Sequence, residues 1–145
     1  MSQIPLIIPI ENFDVEEALE SWHWLYPKEY TPLFLTAFGD WILGSPDGSI
    51  HLLDIIEGQV TKIAENNIEF NRLKETTKKK DEWFLESLVL GLVNQNILLK
   101  PGECYGFEIP PILGGKIEIG NVRPFLIAVY EAITGQIHEQ IRKKR

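Results

Sequence analysis

A chain of 145 residues with 44% hydrophobic and 24% charged residues is long enough to bury one sizeable core and too ordinary in composition for wholesale disorder. Its formal charge of −7 and pI near 5.0 oppose binding to a polyphosphate backbone and favour a basic partner. A single cysteine, Cys104, excludes an internal disulfide and a cysteine-cluster zinc site, and the early apolar run over residues 4–10 is too short and too rich in proline to span a bilayer.

Glu11 and Asp14 follow that run at once, where a secretory leader would carry small residues for cleavage, so a cytoplasmic location is expected. Residues 12–25 then place Val15, Ala18, Leu19, Trp22 and Leu25 on one face at helical spacing, with Asp14 and Glu17 as a capping pair. Pro27 ends this amphipathic helix, and a turn is predicted over Tyr30–Pro32. The segments LFLTAFG, DWILGS and SIHLLDII follow, broken by Gly39, by Pro46-Asp47-Gly48 and by Gly58. Asp-Gly between apolar runs signals a hairpin whose two turn residues both take positive φ, and Gly58-Gln59 offers a second reversal into QVTKIA. A meander of about four antiparallel strands is the simplest assignment.

Beyond it the hydrophobic period lengthens from two to about three and a half. Residues 65–77 are predicted helical, anchored by Ile68, Phe70 and Leu73. Asp81 stands as an N-cap ahead of a longer helix whose stripe is Phe84, Leu85, Leu88, Val89, Leu92 and Val93. Pro101-Gly102 turns the chain into a YGFEI strand, KIEI and RPFLIAVYE read as two more, and GQIHEQIRKK reads as a short helix with Ile137 and Ile141 facing inward. The basic runs Lys78–Lys80 and Arg142–Arg145 each follow a predicted helix, where cations suit the negative end of the dipole. With no repeat or long linker, the expected architecture is a single α+β domain over residues 1–145, an antiparallel sheet meander packed by helices.

The candidate chemistry is sparse. Cys104 is the sole thiol; as a nucleophile it would need an imidazole, from His138, His51 or His23, and donors for an oxyanion, while its neighbour Glu103 opposes a thiolate. Asp40, Asp47 and Asp54 flank the predicted hairpin with His51, and Asp40 and Asp54 are expected to lie close, but Asp47 beside Gly48 has a turn role and no metal-ligand spacing is present. Gly114-Gly115 lacks the spacing of a phosphate loop, and Pro110-Pro111 reads as the exit of a strand. No catalytic residue, metal or cofactor is therefore expected. Tyr105 and Phe107 share one side of their strand, Gly106 the other. Trp22 and Trp24 stand about 200° apart around a helix, so one of them is expected at the surface beside His23 and Tyr26, a composition suited to a protein contact. Three readings stay open on these grounds: a protein-binding module, a cytoplasmic scaffold or small-ligand binder of the same fold, and a hydrolase built on Cys104 or the hairpin carboxylates.

The ordered pieces FGDWILGSPDGSIHLLDIIEGQVTKIA, DEWFLESLVLGLV, PGECYGFEIPPILGGKIEIGNV and GQIHEQ resemble the C-terminal domain of type VI secretion DNase immunity proteins, over residues 38–140. Residues 1–37 resemble a shortened GAD-like segment, and the whole is similar to the broader SUKH class of α+β immunity proteins. The resemblance implies a non-catalytic cytoplasmic protein that neutralises a cognate toxin, basic in its contact surface, with neither nucleic acid nor membrane as partner. On the family motifs it implies structural roles for Gly39, Gly48, Gly106, Pro110, Pro111, Gly114, Gly115, Asn121, Gln136, His138 and Gln140. Acidic and aromatic residues are then the expected partner contacts: Glu16, Glu20 and Trp24 on the first helix, Asp40, Trp41, Asp47 and Asp54 around the hairpin, and Tyr105 on the later strand.

Overall fold

A computed structural model describes residues 5–144; Ile4 and Arg145, the ends of the apolar and basic runs, lie outside the described residues. The chain forms β1 (Ile7–Ile8), α1 (Val15–Leu19), β2 (Thr31–Thr36), β3 (Trp41–Gly44), β4 (Ile50–Asp54), β5 (Gln59–Ala64), α2 (Asn67–Leu73), α3 (Thr77–Phe84), α4 (Glu86–Asn94), β6 (Glu103–Phe107), β7 (Val122–Leu126) and α5 (Ile127–Lys143). One antiparallel sheet runs β1-β2-β3-β4-β5, the predicted meander with β1 added at its edge, and β6 and β7 form a second antiparallel pair. The α+β class is as expected.

The meander follows from residues that alternate between two covered faces. Leu35, Trp41, Leu43, Leu53 and Ile55 pack under Ala18, Leu19, Trp22, Ile127 and Tyr130. Ile42, Ile50, Leu52 and Ala64 face the other way, against Phe70, Trp83 and Phe84. Because both faces are covered, Trp41, Ile42 and Leu43 are consecutive and all buried. A third cluster joins Val89 and Leu92 of α4 to Tyr105, Phe107 and Val122 of the second sheet and to Ala37 and Phe38 at the β2–β3 turn. There the Tyr105 amide donates to the Ala37 carbonyl at 2.7 Å.

Several predicted elements are redrawn. The first helix is five residues of α-helix, N-capped by Asp14 through the Glu17 amide at 3.1 Å, and then tightens to a 3-10 turn over Glu20–Trp22. Pro32 lies inside β2 rather than in a turn, at a register shift beyond the reach of β1, where its missing N–H costs no ladder bond. At the β3–β4 reversal Gly48 alone has positive φ, 90°, and donates to the Ser45 carbonyl at 2.9 Å, so the loop is longer than a two-residue turn. Ile68 is 82% exposed and anchors nothing; Phe70 alone of its trio is fully buried.

The longer helix is in fact two. Leu85 adopts left-handed φ 53°, ψ 45° between α3 and α4, and Asp81, within α3, reaches across the break to accept from the Ser87 amide at 2.8 Å. That hydrogen bond holds the Asp81 carboxyl below its ordinary range. The break has a packing consequence: Trp83 and Phe84 are delivered to one cluster and Val89 and Leu92 to another. Lys78–Lys80 therefore open a helix capped by Thr76 instead of following one; Lys79 lies 3.2 Å from Glu82 and Lys80 3.9 Å from Glu75. Arg142 and Lys143 do close α5.

The end of the chain departs furthest from the predicted elements. KIEI is irregular apart from a 3-10 turn over Ile119–Asn121, and RPFLIAVYE is strand only to Leu126. From Ile127 it joins the predicted short helix in one helix of 17 residues. Its buried residues, Ile127, Tyr130, Glu131, Thr134, Gly135 and His138, follow helical spacing, but Glu131, Thr134 and His138 are not apolar and mask the periodicity in the sequence. Gly135 is where α5 meets the Glu20–Trp22 turn: a Cβ there would lie 2.5 Å from the Ser21 carbonyl oxygen. Among the described residues no helix is long and apolar enough to cross a membrane.

Candidate functional site

The N-terminal helical segment carries the richest set of exposed functional side chains. Glu11, Asp14, Glu16, Glu17 and Glu20 are all exposed on it. Glu16 stands 3.7 Å from His23 Nε2, and the Tyr26 hydroxyl lies 3.2 Å from His23 Nδ1. These three side chains, with Lys28, Tyr30 and Pro32, line a recess of about 550 Å³. Burial, and then the charge of Glu16, pushes the Tyr26 hydroxyl up to about 12, so it stays a neutral donor at physiological pH. Trp24, half-buried, stacks on Trp22 at 6.0 Å, donates its indole N–H to the Ser21 carbonyl at 2.8 Å and lies under the Arg142 guanidinium at 5.2 Å. Trp22 is the fully buried member of that pair.

Other expected contacts are drawn inward. Asp40 is buried; its Oδ1 accepts from the Ile55 amide at 2.9 Å, and its own amide donates to Thr36 Oγ1 at 3.0 Å. It ties one strand of the meander to the end of the next and does not face a partner. Trp41 is in the core, and so is Tyr105, whose hydroxyl donates to the Ile97 carbonyl at 2.6 Å. Neither faces a partner, because neighbouring elements cover both faces of their strands and leave both side chains without solvent exposure.

Asp54 accepts from the Ile56 and Glu57 amides at 2.9 and 3.0 Å and so shapes the β4–β5 turn. Asp47 is exposed but folded back: Ser45 Oγ, the Ser49 amide and Ser49 Oγ all donate to its Oδ1, the last at 2.6 Å, which holds its carboxyl far below the ordinary range. Ser49 Oγ also meets His51 Nε2 at 2.9 Å. In this row the carboxylate binds the hydroxyl rather than the imidazole, the reverse of the order that activates a serine. The Cys104 thiol, completely buried, is pushed well above its usual value by burial and then by Glu131 and Asp40. Such a thiol is not poised as a nucleophile. Among the described residues no three His, Cys, Asp or Glu side chains converge as metal ligands would.

Several of the motif residues are fixed in the fold by close packing or hydrogen bonds. Gly39 has φ 87°, and a Cβ there would lie 2.9 Å from Glu131 Oε2. Gly106 lies under the rings of Tyr130 and Phe125, leaving no room for a side chain. Pro110 and Pro111 open a 3-10 turn closed by Gly114 at φ 98°. Asn121 binds this loop at both ends: Oδ1 accepts from the Ile109 amide at 3.0 Å, while Nδ2 donates to the Ile109 and Lys116 carbonyls, each at 2.9 Å. Gly115 packs directly on the Ile109 carbonyl. His138 is buried against Trp22 at 5.6 Å, with Nε2 donating to the Ile55 carbonyl at 2.9 Å and Gly58 against its ring. Burial holds this ring below the ordinary histidine value. Gln136 and Gln140, by contrast, are exposed on α5.

Sequence reasoning missed two features of α5. Glu131 is fully buried between the indoles of Trp22 and Trp41, neither of which closes on it with regular hydrogen-bond geometry. Desolvation first, and Asp40 among the remaining influences, raises its carboxyl well above the usual range, offset only in part by the two indoles. The second feature is an open groove between the N-terminal segment and α5, with Glu20 on its rim and Gln136 on its wall. Reading residues 127–131 as strand concealed it, although the i, i+4 spacing of Val129 and Ile133 was available as a signal.

The solved structure of Atu4351 from Agrobacterium tumefaciens is similar to this chain, with a TM-score of 0.50 and 22% identity over 84% of this chain and 61% of that one. At that identity the likeness is one of fold, and this chain spans less than two thirds of the other. No curated protein matches the sequence. Residues 64–138, just over half of the 145-residue chain, match the family described as T6SS immunity protein Tdi1, C-terminal. This stretch holds α2 to α4, the Asn121-bound loop and the buried His138. The chain belongs to the family of the C-terminal domain of the type VI secretion immunity protein Tdi1.

Proposed function

We propose that this chain acts in the cytoplasm by binding a toxin of type VI secretion and blocking it, without turnover of its own, and that the toxin is a nuclease. The family match over residues 64–138 carries the immunity role. The nuclease target is supported by charge: a nuclease presents a basic cleft to phosphates, and a partner with formal charge −7 is drawn to it. Five carboxylates between Glu11 and Glu20, all exposed, concentrate that charge on one segment. Steering of this kind raises association rates by about one or more decades at low salt.

The direct test is co-expression with the product of the adjoining reading frame in a host that this product alone kills. Rescue of growth, formation of a complex between the purified proteins and loss of DNA cleavage in the mixture are expected. If growth is not restored and no complex forms, the chain is not an antidote to that protein. A complex that forms while DNA cleavage is absent from the free toxin would keep the immunity role and overturn the nuclease assignment.

A further inference from the structure

We infer that the toxin docks in the groove between the N-terminal helical segment and α5, through a basic amphipathic segment; this rests on the immunity reading and adds the contact face to it. The groove measures about 690 Å³ and is open to solvent. One wall comprises Glu17, Glu20 and Ser21, and the other is a face of α5. The helix repeat explains that face: Ile127, Tyr130, Glu131 and Thr134 point into the core, so Ala128, Val129, Ala132 and Ile133 are left toward the groove. Val129 is 47% and Ile133 44% exposed, and the two stand one helical turn apart on the same wall of the groove.

The rim settles the occupant. Glu17 and Glu20 on one side and Glu139 on the other are anionic; among the described residues Glu17 and Glu20 have no cationic partner, and Glu139 has only Lys143 at 3.7 Å. An apolar floor between acidic rims complements a segment that carries apolar side chains flanked by lysine or arginine. A second copy of this chain fits poorly, because an isologous pair would set the same acidic rims against each other on two molecules of charge −7. The groove is also composite. Its α5 wall lies almost wholly within residues 64–138, which match the family, whereas Glu17, Glu20 and Ser21 lie outside that stretch. The shared wall supplies apolar adhesion, and the N-terminal wall is placed to discriminate among toxins.

Kinetics of binding to the purified product of the adjoining reading frame test this with three variants. Ile133→Glu, at an exposed position where folding is retained, is expected to weaken the complex by about tenfold or more, chiefly through faster dissociation. Glu17→Lys with Glu20→Lys is expected to slow association by about tenfold at low salt and to flatten its salt dependence. Glu75→Lys with Glu118→Lys makes the same change in net charge outside the groove and is expected to leave affinity within about twofold, which separates local contact from global charge. Circular dichroism confirms that each variant is folded.

Binding by the unaltered protein that survives both groove changes within about twofold overturns the groove while leaving the immunity role intact. Absence of binding by the unaltered protein overturns the immunity reading and the groove with it. Sedimentation that reveals a dimer abolished by Ile133→Glu assigns the face to a second copy and overturns the proposed occupant.

Discussion

Replacing Glu131 with glutamine probes the most enclosed carboxyl of the core. Its side chain is inaccessible to solvent, flanked by two indoles and influenced by Asp40, so the charged form lacks both hydration and a cation. The folded protein therefore holds a proton that the unfolded chain, with an ordinary value near 4.5, gives up. The stability tied to this group is complete below about that pH and is lost as pH rises toward the elevated folded value, by about 1.4 kcal/mol per pH unit. Glutamine resembles the protonated acid in size and polarity but has no proton to lose. The variant should match the parent near pH 4.5 and exceed it progressively, by roughly 3 kcal/mol after two units, as long as the pH stays below the folded value. Contributions from groups that do not interact with Glu131 are common to both proteins and cancel in the difference, whereas that of Asp40, which does interact with it, does not. Urea unfolding followed by far-ultraviolet circular dichroism at pH 4.5, 5.5, 6.5 and 7.5 measures it. A difference that stays constant with pH, or a variant that loses stability relative to the parent as pH rises, would show that the indoles hold an ionised carboxylate and would refute the reasoning.

Two further outcomes follow from the motifs. Asn121→Ala removes three hydrogen bonds to the 109–116 loop and is expected to cost about 1–3 kcal/mol in urea unfolding, with the Ile109 amide losing protection in hydrogen exchange; unchanged protection would show that the two prolines hold the loop unaided. His138 is kept neutral by burial, so its contribution is complete above the ordinary value of 6.5 and is lost as pH falls through the lower folded value. His138→Gln should abolish that part of the acid-side decline in melting temperature, and parallel melting curves for parent and variant from pH 7 to 5 would contradict the assignment.

The proposed docking surface was only half visible to sequence reasoning. Glu16 and Glu20 emerge where their helical spacing puts them, opposite Ala18, Leu19 and Trp22. Asp40 has the same composition-level credentials, yet it is buried and its carboxylate is tied to the backbone of the meander through an amide 15 residues away at Ile55. Nothing local distinguishes a carboxylate that faces a partner from one that satisfies a buried N–H. The apolar groove face of α5 was hidden for a related reason: the segment from Ile127 to Glu131 is an apolar run that suits strand and helix equally, and its continuation buries Glu131, Thr134 and His138 where a periodicity argument expects apolar residues.

What the sequence determines by itself is local and steric or summed over the chain: the hairpins at Gly48 and Gly58, the Asp14 cap, the proline exit after β6, the acidic charge and the two-residue period of the meander. What only the tertiary structure decides is which side of each element is covered. Leu85 takes a left-handed conformation because Phe84 and Val89 serve different clusters, and Trp41 and Tyr105 are buried because helices remote in sequence close over their strands. Periodicity records that a segment has two faces, but burial is set by contacts between residues far apart in the chain, and no window along the sequence contains both partners.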